Sequence, residues 1–276
     1  MPAEEVAAGV FEIATANMVH GIRQVTTTRG RDPQAYTLVS FGGAGGLFAT
    51  DVADFLGMRT VLSPPNPGNL SAWGLHVSDV KRDYIQTAVR RQSTADGAEV
   101  EAIWAALEAR GRREIAAEGI AEDAILLTRS ADMRYVGEGH EVPVHLPEGL
   151  RGELALAFAW KDFHRVHDET FGFQYEGTQD VELVNMRVQA VGRIHRPRVE
   201  EAMRSGSPAM PATRRPVYWR GQGWIDCPIY ARPSLPTGQA LAGPLIVEEY
   251  GSTTVVPAGW KVTPDRYANL VLEKLP

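Results

Sequence analysis

The stretch FGGAGGLFATDVADF, residues 41–55, sets four glycines within five positions: Gly42, Gly43, Gly45 and Gly46, with Ala44 among them. Residues without side chains let backbone come close to a ligand, and a helix starting just after such a turn offers unpaired amides to it. The flanks fit that geometry. YTLVSF (36–41) reads as a short buried strand and 47–56 as a helix. Two phosphate-binding chemistries are excluded by the residues themselves. A P-loop needs a Lys and a Ser or Thr where Leu47 and Phe48 stand. A dinucleotide fingerprint counted from Gly43 needs a small residue at Phe48 and an acid ending the next strand, which closes on Leu62 and Ser63. Two readings remain: a flat surface from Gly42 to Gly46 against which a base or ribose lies, or a tight turn whose glycines serve helix–strand packing.

Other residues of chemical interest are explained more simply. His164 and His167, beside Asp168, form an i,i+3 pair able to bind metal, but no further ligand lies near in sequence, and a polar helix face accounts for them. In MRYVGEGHEVPV (133–144), alternation sets Glu138 and His140 on one face, with Glu141 beside them; a surface hairpin accounts for them equally. Trp73 reads as core packing and Asp51 as an acid favoured near a helix start. Cys227 reads as a buried structural thiol, and Ser252, Thr253 and Thr254 as a polar strand or turn without a neighbouring base. No metal site and no catalytic residue is assigned.

The elements that must hold the turn follow from periodicity. Phe11, Ala14, Met18, Ile22 and Val25 recur at helical spacing within 3–28. A second strand is expected at 60–62, a helix over 72–80 capped by Asn69 or Ser71, and a strand at 81–89. Helices are expected at 95–119 and 154–170, with strands across 124–146 and 181–191. IHRPRVEEAMRSGSPAMPATRRP (194–216) reads as an extended linker, and 217–275 as short strands broken by Pro and Gly. The expected domains are 1–92 (α/β), 93–195 (α+β) and 196–276 (linker and an all-β domain).

Composition narrows the function classes. The chain has 276 residues, 44% hydrophobic and 22% charged, with a formal net charge of −6 that argues against nucleic acid as a partner. No apolar run nears the roughly 20 residues that span a bilayer. The N-terminus lacks an export pattern and there is a single cysteine, so a cytoplasmic protein without disulfides or cysteine-bound metal is expected.

LVSFGGAGGLFATDVADFLGMRTVLSPPNPGNLSAWGLHVSDVKRDY resembles the end of the ATP-binding domain in the hydantoinase A family, which includes ATP-dependent hydantoinases, 5-oxoprolinases and subunits of acetone and acetophenone carboxylases. FHRVHDETFGFQYEGTQDVELVNMRVQAVG (163–192) is similar to the segment after that domain, and GPLIVEEYGSTTVVPAGWKVTPDRYANLVL (243–272) to its C-terminal β-domain. The family usually reads Pro-Leu-His where this chain has Gly46-Leu47-Phe48. The resemblance implies the C-terminal part of an actin-like (ribonuclease H-like) ATPase domain, then an α+β region and an all-β domain. It implies ATP with magnesium (Mg), bound together with a partner, and Gly42, Gly43, Ala44, Gly45 and Gly46 as one wall for adenosine. The Asp-x-Gly-Gly-Thr type of phosphate loop does not occur in this sequence, so the expected partners are a chain carrying those loops and a hydantoinase B-type subunit. The chain alone is expected to be inactive. The expected function is a subunit of an enzyme that phosphorylates a carbonyl or enol substrate, first a ketone carboxylase resembling acetophenone carboxylase. The alternatives are a cyclic-amide hydrolase of hydantoinase or 5-oxoprolinase type and a non-catalytic assembly module.

Overall fold

Proline, two acids and a basic end frame the first helix. Pro2 precedes it, Glu4 and Glu5 occupy the first turn and Arg23 the last, matching the helix dipole. The computed structural model describes residues 2–203 and 208–276; residues 204–207, inside the expected linker, lie outside the described residues. In chain order the helices are α1 (Ala3–Val25), α2 (Gly45–Leu56), α3 (Leu70–His76), α4 (Gly97–Ala116) and α5 (Gly152–Phe171). The strands are β1 (Leu38–Val39), β2 (Thr60–Ser63), β3 (Val80–Arg91), β4 (Ile125–Tyr135), β5 (Val142–His145), β6 (Val181–Gly192), β7 (Thr213–Trp219), β8 (Gly223–Ala231), β9 (Leu241–Ala242), β10 (Leu245–Glu249), β11 (Ser252–Val256), β12 (Trp260–Pro264) and β13 (Leu270–Lys274). No described helix is long and apolar enough to cross a membrane.

The first unit joins Met1–His76 to Pro197–Pro276. Its main sheet runs β1-β2-β13-β12-β9, with β1 and β2 parallel and β2 and β13 antiparallel, Val61 opposite Leu272. Ala53, Val61, Trp260, Val262, Leu270 and Leu272 form the centre of its core. A second sheet, β11-β10-β8-β7, carries a small cluster of Cys227, Ile229 and Ile246. Buried Arg232 ties the parts together: one Nη donates to the carbonyls of Ser63 (2.7 Å) and Ala268 (2.9 Å), and the other pairs with Glu249.

The second unit, Val77–Arg196, is an antiparallel sheet in the order β3-β6-β4-β5. Trp104 and Ile115 of α4 and Phe163 and Ala159 of α5 pack against Met186, Val188 and Tyr135 from the strands. Asp96 accepts from the amides of Ala98 and Glu99 and so caps α4. Arg129 on β4 sits under that helix, bidentate to Glu101 (2.7 and 2.8 Å) and to Glu108 (2.7 and 2.9 Å). Burial opposes its charge, but the hydrogen bonds to Glu101 and Glu108 outweigh that and hold the guanidinium above its usual range.

The described residues thus form a mixed α/β fold with three sheets. The structure divides the chain differently from the pattern-based reading. The segment β3, grouped by pattern with residues 1–92, pairs along β6 in the second unit. The strands after residue 197 do not close on themselves, because β13 lies against β2. Such pairing between distant segments leaves no local periodicity to read. Two smaller differences are local: the expected strand 36–41 shrinks to β1, and β7 begins inside the expected linker.

Candidate functional site

The glycine turn is built by hydrogen bonds that reverse the chain between β1 and α2. Ser40 N–H donates to Leu62 O (2.8 Å), extending the pairing with β2. Gly42, at φ +85°, donates to Pro67 O (2.7 Å), and this left-handed geometry is where glycine is favoured. Gly45 then donates to Gly42 O (3.2 Å) and opens α2, with Ala44 before it providing no side-chain cap and with no acid in the first turn.

Each glycine can be asked what a side chain there would strike. A Cβ on Gly43 would lie 3.1 Å from Gly251 O, and one on Gly45 3.1 Å from Ser40 Oγ. On Gly46 it would lie 2.4 Å from Thr253 O and 3.0 Å from Thr254 Oγ1. Gly43 and Gly46 therefore admit the β10–β11 hairpin, and Gly45 admits Ser40. Gly42 alone of the four meets nothing within 4 Å. The packing alternative accounts for three of the four glycines, and an approaching ligand is left with Gly42 and the backbone of the turn.

Beside the turn lies a cavity of about 340 Å3, within the size range of small-molecule sites. Met18, Ile22, Val39, Phe41 and Phe48 line it, with Ser40 and Gly45 at one side. Phe48, where the resemblance leads one to expect His, stacks on Phe11 of α1 with centroids 4.9 Å apart and planes 27° apart. Buried at the turn, the hydroxyls of Ser252 and Thr254 have no hydrogen-bond partner among the described residues. Those two hydroxyls do not line the cavity; its apolar walls suit a base, and no basic side chain lines it to meet phosphates. Asp51, on the solvent side of α2, has its carboxyl raised first by crowding from surrounding protein and then by the charge of Asp54.

The other sequence candidates separate. His164 and His167 are not on a polar helix face: they are 6% and 1% exposed. Aromatic rings of Tyr135, Phe163 and Phe173 surround them, an environment their own polarity concealed. Glu138 reaches His167 Nε2 (3.2 Å), Glu141 pairs with Arg134 (3.3 Å), and His140 is exposed on the turn between β4 and β5. No group of three or more His, Cys, Asp or Glu among the described residues could hold a metal ion. Trp73 is half-exposed on α3 rather than in the core, since that short helix buries none of its residues. Cys227 is fully buried, which pushes its thiol upward. Nothing in the sequence places Phe41 and Thr254 at the turn; Phe11 carries a signal only through the helical stripe of α1.

A family model described as hydantoinase/oxoprolinase matches residues 1–84, and one described as the hydantoinase/oxoprolinase C-terminal domain matches 87–275. The chain belongs to the hydantoinase/oxoprolinase family. Among relatives, the alpha subunit of caprolactamase from Pseudomonas jessenii is 31% identical over 98% of this chain and 39% of its own length. The crystal structure of that ATP-dependent caprolactamase superposes with a TM-score of 0.75 over 98% of this chain and 40% of its own. 5-Oxoprolinase 1 of Arabidopsis thaliana is 28% identical over 100% of this chain and 22% of its length. The beta subunit of acetone carboxylase from Xanthobacter autotrophicus is 24% identical over 94% of this chain and 38% of its own. A nucleotide-free acetone carboxylase structure, 20% identical with a TM-score of 0.76 over 99% of this chain and 40% of its own, shares the fold. This member of the family thus spans about two fifths of the caprolactamase alpha subunit and about a fifth of the oxoprolinase.

Proposed function

We propose that this chain forms the C-terminal portion of an ATP-dependent enzyme that opens a cyclic amide, with ketone carboxylation as the second reading. The observation that carries the proposal is the 31% identity to the caprolactamase alpha subunit along almost the whole chain, against 24% for the acetone carboxylase subunit. That difference reverses the order expected from sequence, where a carboxylase resembling acetophenone carboxylase stood first.

In this reading Gly42 and the backbone through Gly46, with Phe41, Phe48 and Ser40, receive the adenosine end of ATP. Backbone closeness and the apolar cavity exclude water from the base. The nucleotide, with Mg, supplies the phosphoryl group that activates the amide carbonyl. The residues that hold the phosphates and metal belong to the remainder of the enzyme, on the same polypeptide or another. The contact surface for that remainder is the exposed stripe of α1, where Phe11 is 41% and Met18 37% exposed, together with the free edge of β1. A hydantoinase B-type subunit is the second proposed partner, and the cytoplasm the proposed location.

Reconstitution tests the proposal. The chain is assembled with the remaining part of the enzyme and the B-type subunit, and ATP turnover is measured with lactam, 5-oxoproline or hydantoin, and separately with ketone plus bicarbonate. Turnover stimulated by a cyclic amide is expected. Stimulation only by ketone plus bicarbonate would establish the second reading, and stimulation by neither would leave an assembly module.

A further inference from the structure

Residues 172–180 cross the second unit as an exposed strap between α5 and β6, over a buried polar core. Beneath it Tyr135 is 0% exposed, a phenol with two polar neighbours. The Tyr175 amide donates to the Tyr135 hydroxyl (2.6 Å), and that hydroxyl lies 2.8 Å from His164 Nδ1. An amide can only donate, so the hydroxyl's own hydrogen is left for His164. Nδ1 is therefore the acceptor, and the neutral ring carries its hydrogen on Nε2.

The second anchor works the opposite way. His167 Nδ1 lies 2.9 Å from the Phe173 carbonyl, which can only accept, so this nitrogen always donates. Its Nε2 faces Glu138 Oε2 at 3.2 Å. Adding a proton to His167 leaves the Phe173 bond intact, whereas adding one to His164 reverses the role of Nδ1. The strap's other ties lie at its two ends: Gly172 N–H donates to Asp168 O (2.7 Å), Gln179 Nε2 to Val136 O (2.9 Å), Val136 N–H to Asp180 O (3.0 Å) and Ser93 Oγ to the Asp180 carboxylate (2.8 Å).

We propose that the Tyr175 end of this strap is an acid-released latch, in which protonated His164 turns a second donor onto the Tyr135 hydroxyl and expels the Tyr175 amide. The titratable groups around the Tyr135–His164 pair are Glu138 from the turn after β4, His167 from α5, and Tyr175 and Glu176 from the strap itself. Burial lowers the His164 pKa most; Glu176 opposes that and His167 adds to it. The closed latch thus favours neutral His164, and the released state frees the ring toward the ordinary histidine value near 6.5. Closure is complete above that value and is lost as pH falls below it toward the lowered value of the closed form. Release stays local, because the Phe173 anchor survives the same pH change.

The test is residue-resolved amide exchange of the full chain between pH 7.5 and 5.5, corrected for the intrinsic pH dependence of exchange. Protection at Tyr175 should fall by up to about tenfold, because each opening below pH 6.5 takes up one proton, while the Gly172 amide keeps its protection. His164→Gln, which offers an acceptor without a titration, should remove the pH response, and Tyr135→Phe should open Tyr175 at every pH. Imidazole 15N shifts of the unmodified protein give a measurement that needs no variant: the Nε2–H tautomer of His164 is expected at pH 7.5. Unchanged protection at Tyr175, the same pH response in His164→Gln, or an Nδ1–H tautomer would each overturn the proposal.

Discussion

Replacing Gly46 by Ala adds one methyl group at the point where α2 meets β11. The new Cβ would start 2.4 Å from Thr253 O and 3.0 Å from Thr254 Cα. Favourable contact distances are about 3.5–4.0 Å, so the helix start and the strand must part by about 1 Å. Both opposing atoms are main chain, fixed by the β10–β11 register, so no side-chain rotation relieves the clash. Overpacking of a well-packed site costs about 1–3 kcal/mol, and the upper end applies here. For a protein of this size about 3 kcal/mol lowers Tm by roughly 6–12 °C. Two neighbouring experiments calibrate that figure. Gly42→Ala meets nothing within 4 Å but keeps φ +85°, so only backbone strain of about 1–2 kcal/mol is expected. Gly9→Ala, inside α1 with nothing within 4 Å, should stabilise by about 0.5–1 kcal/mol. Thermal and urea unfolding followed by circular dichroism should order the three as Gly9, Gly42 and Gly46, from stabilised to most destabilised. A Gly46→Ala protein as stable as the parent would refute the close-packed account of the turn.

Two further predictions concern the helices. Arg129→Met removes the buried cation that bridges Glu101 and Glu108, leaving them only the half-exposed Arg151 at 3.7 Å, and should cost up to about 3–5 kcal/mol in urea unfolding; a loss under about 1 kcal/mol would contradict the bridging role. Arg129 holds the Glu101 carboxyl below its usual range, so the pair stabilises above the ordinary carboxylate pKa and that stability fades as pH falls through the lowered value. Phe11→Asp combined with Met18→Asp should abolish co-purification with the remaining part of the enzyme, and undiminished co-purification would exclude the α1 stripe as the contact surface.

What the sequence made legible was local. The helix expected at 154–170 appears as α5, and the strand expected at 181–191 as β6, because apolar spacing and a following glycine mark such ends within a few residues. The glycine turn was found for the same reason, yet its neighbours were not: Gly251 O and Thr253 O come from a hairpin some 200 residues further along the chain. His164 and His167 were read as a polar face because their surroundings are assembled from β4 and the strap, not from α5 alone. Arg129 carries no signal in the sequence: its partners Glu101 and Glu108 stand seven apart on α4, the spacing of one helix face, but two acids at that spacing are ordinary on a solvated helix.

The pairing of β13 with β2 also sets a timetable. Leu62 lies opposite Val271, so during synthesis β2 waits roughly 200 residues for that neighbour, about 10–40 s at ribosomal speeds of about 5–20 residues per second. Meanwhile Val77–Arg196 emerges as one uninterrupted stretch that contains all four strands of its own sheet and both helices. Its core can form on the ribosome while the apolar positions of α1 and α2 are still without the strands that cover Val52 and Ala53. The chain is therefore born with its middle finished before its beginning, and the early segment is the one exposed to chaperones, proteases and premature association.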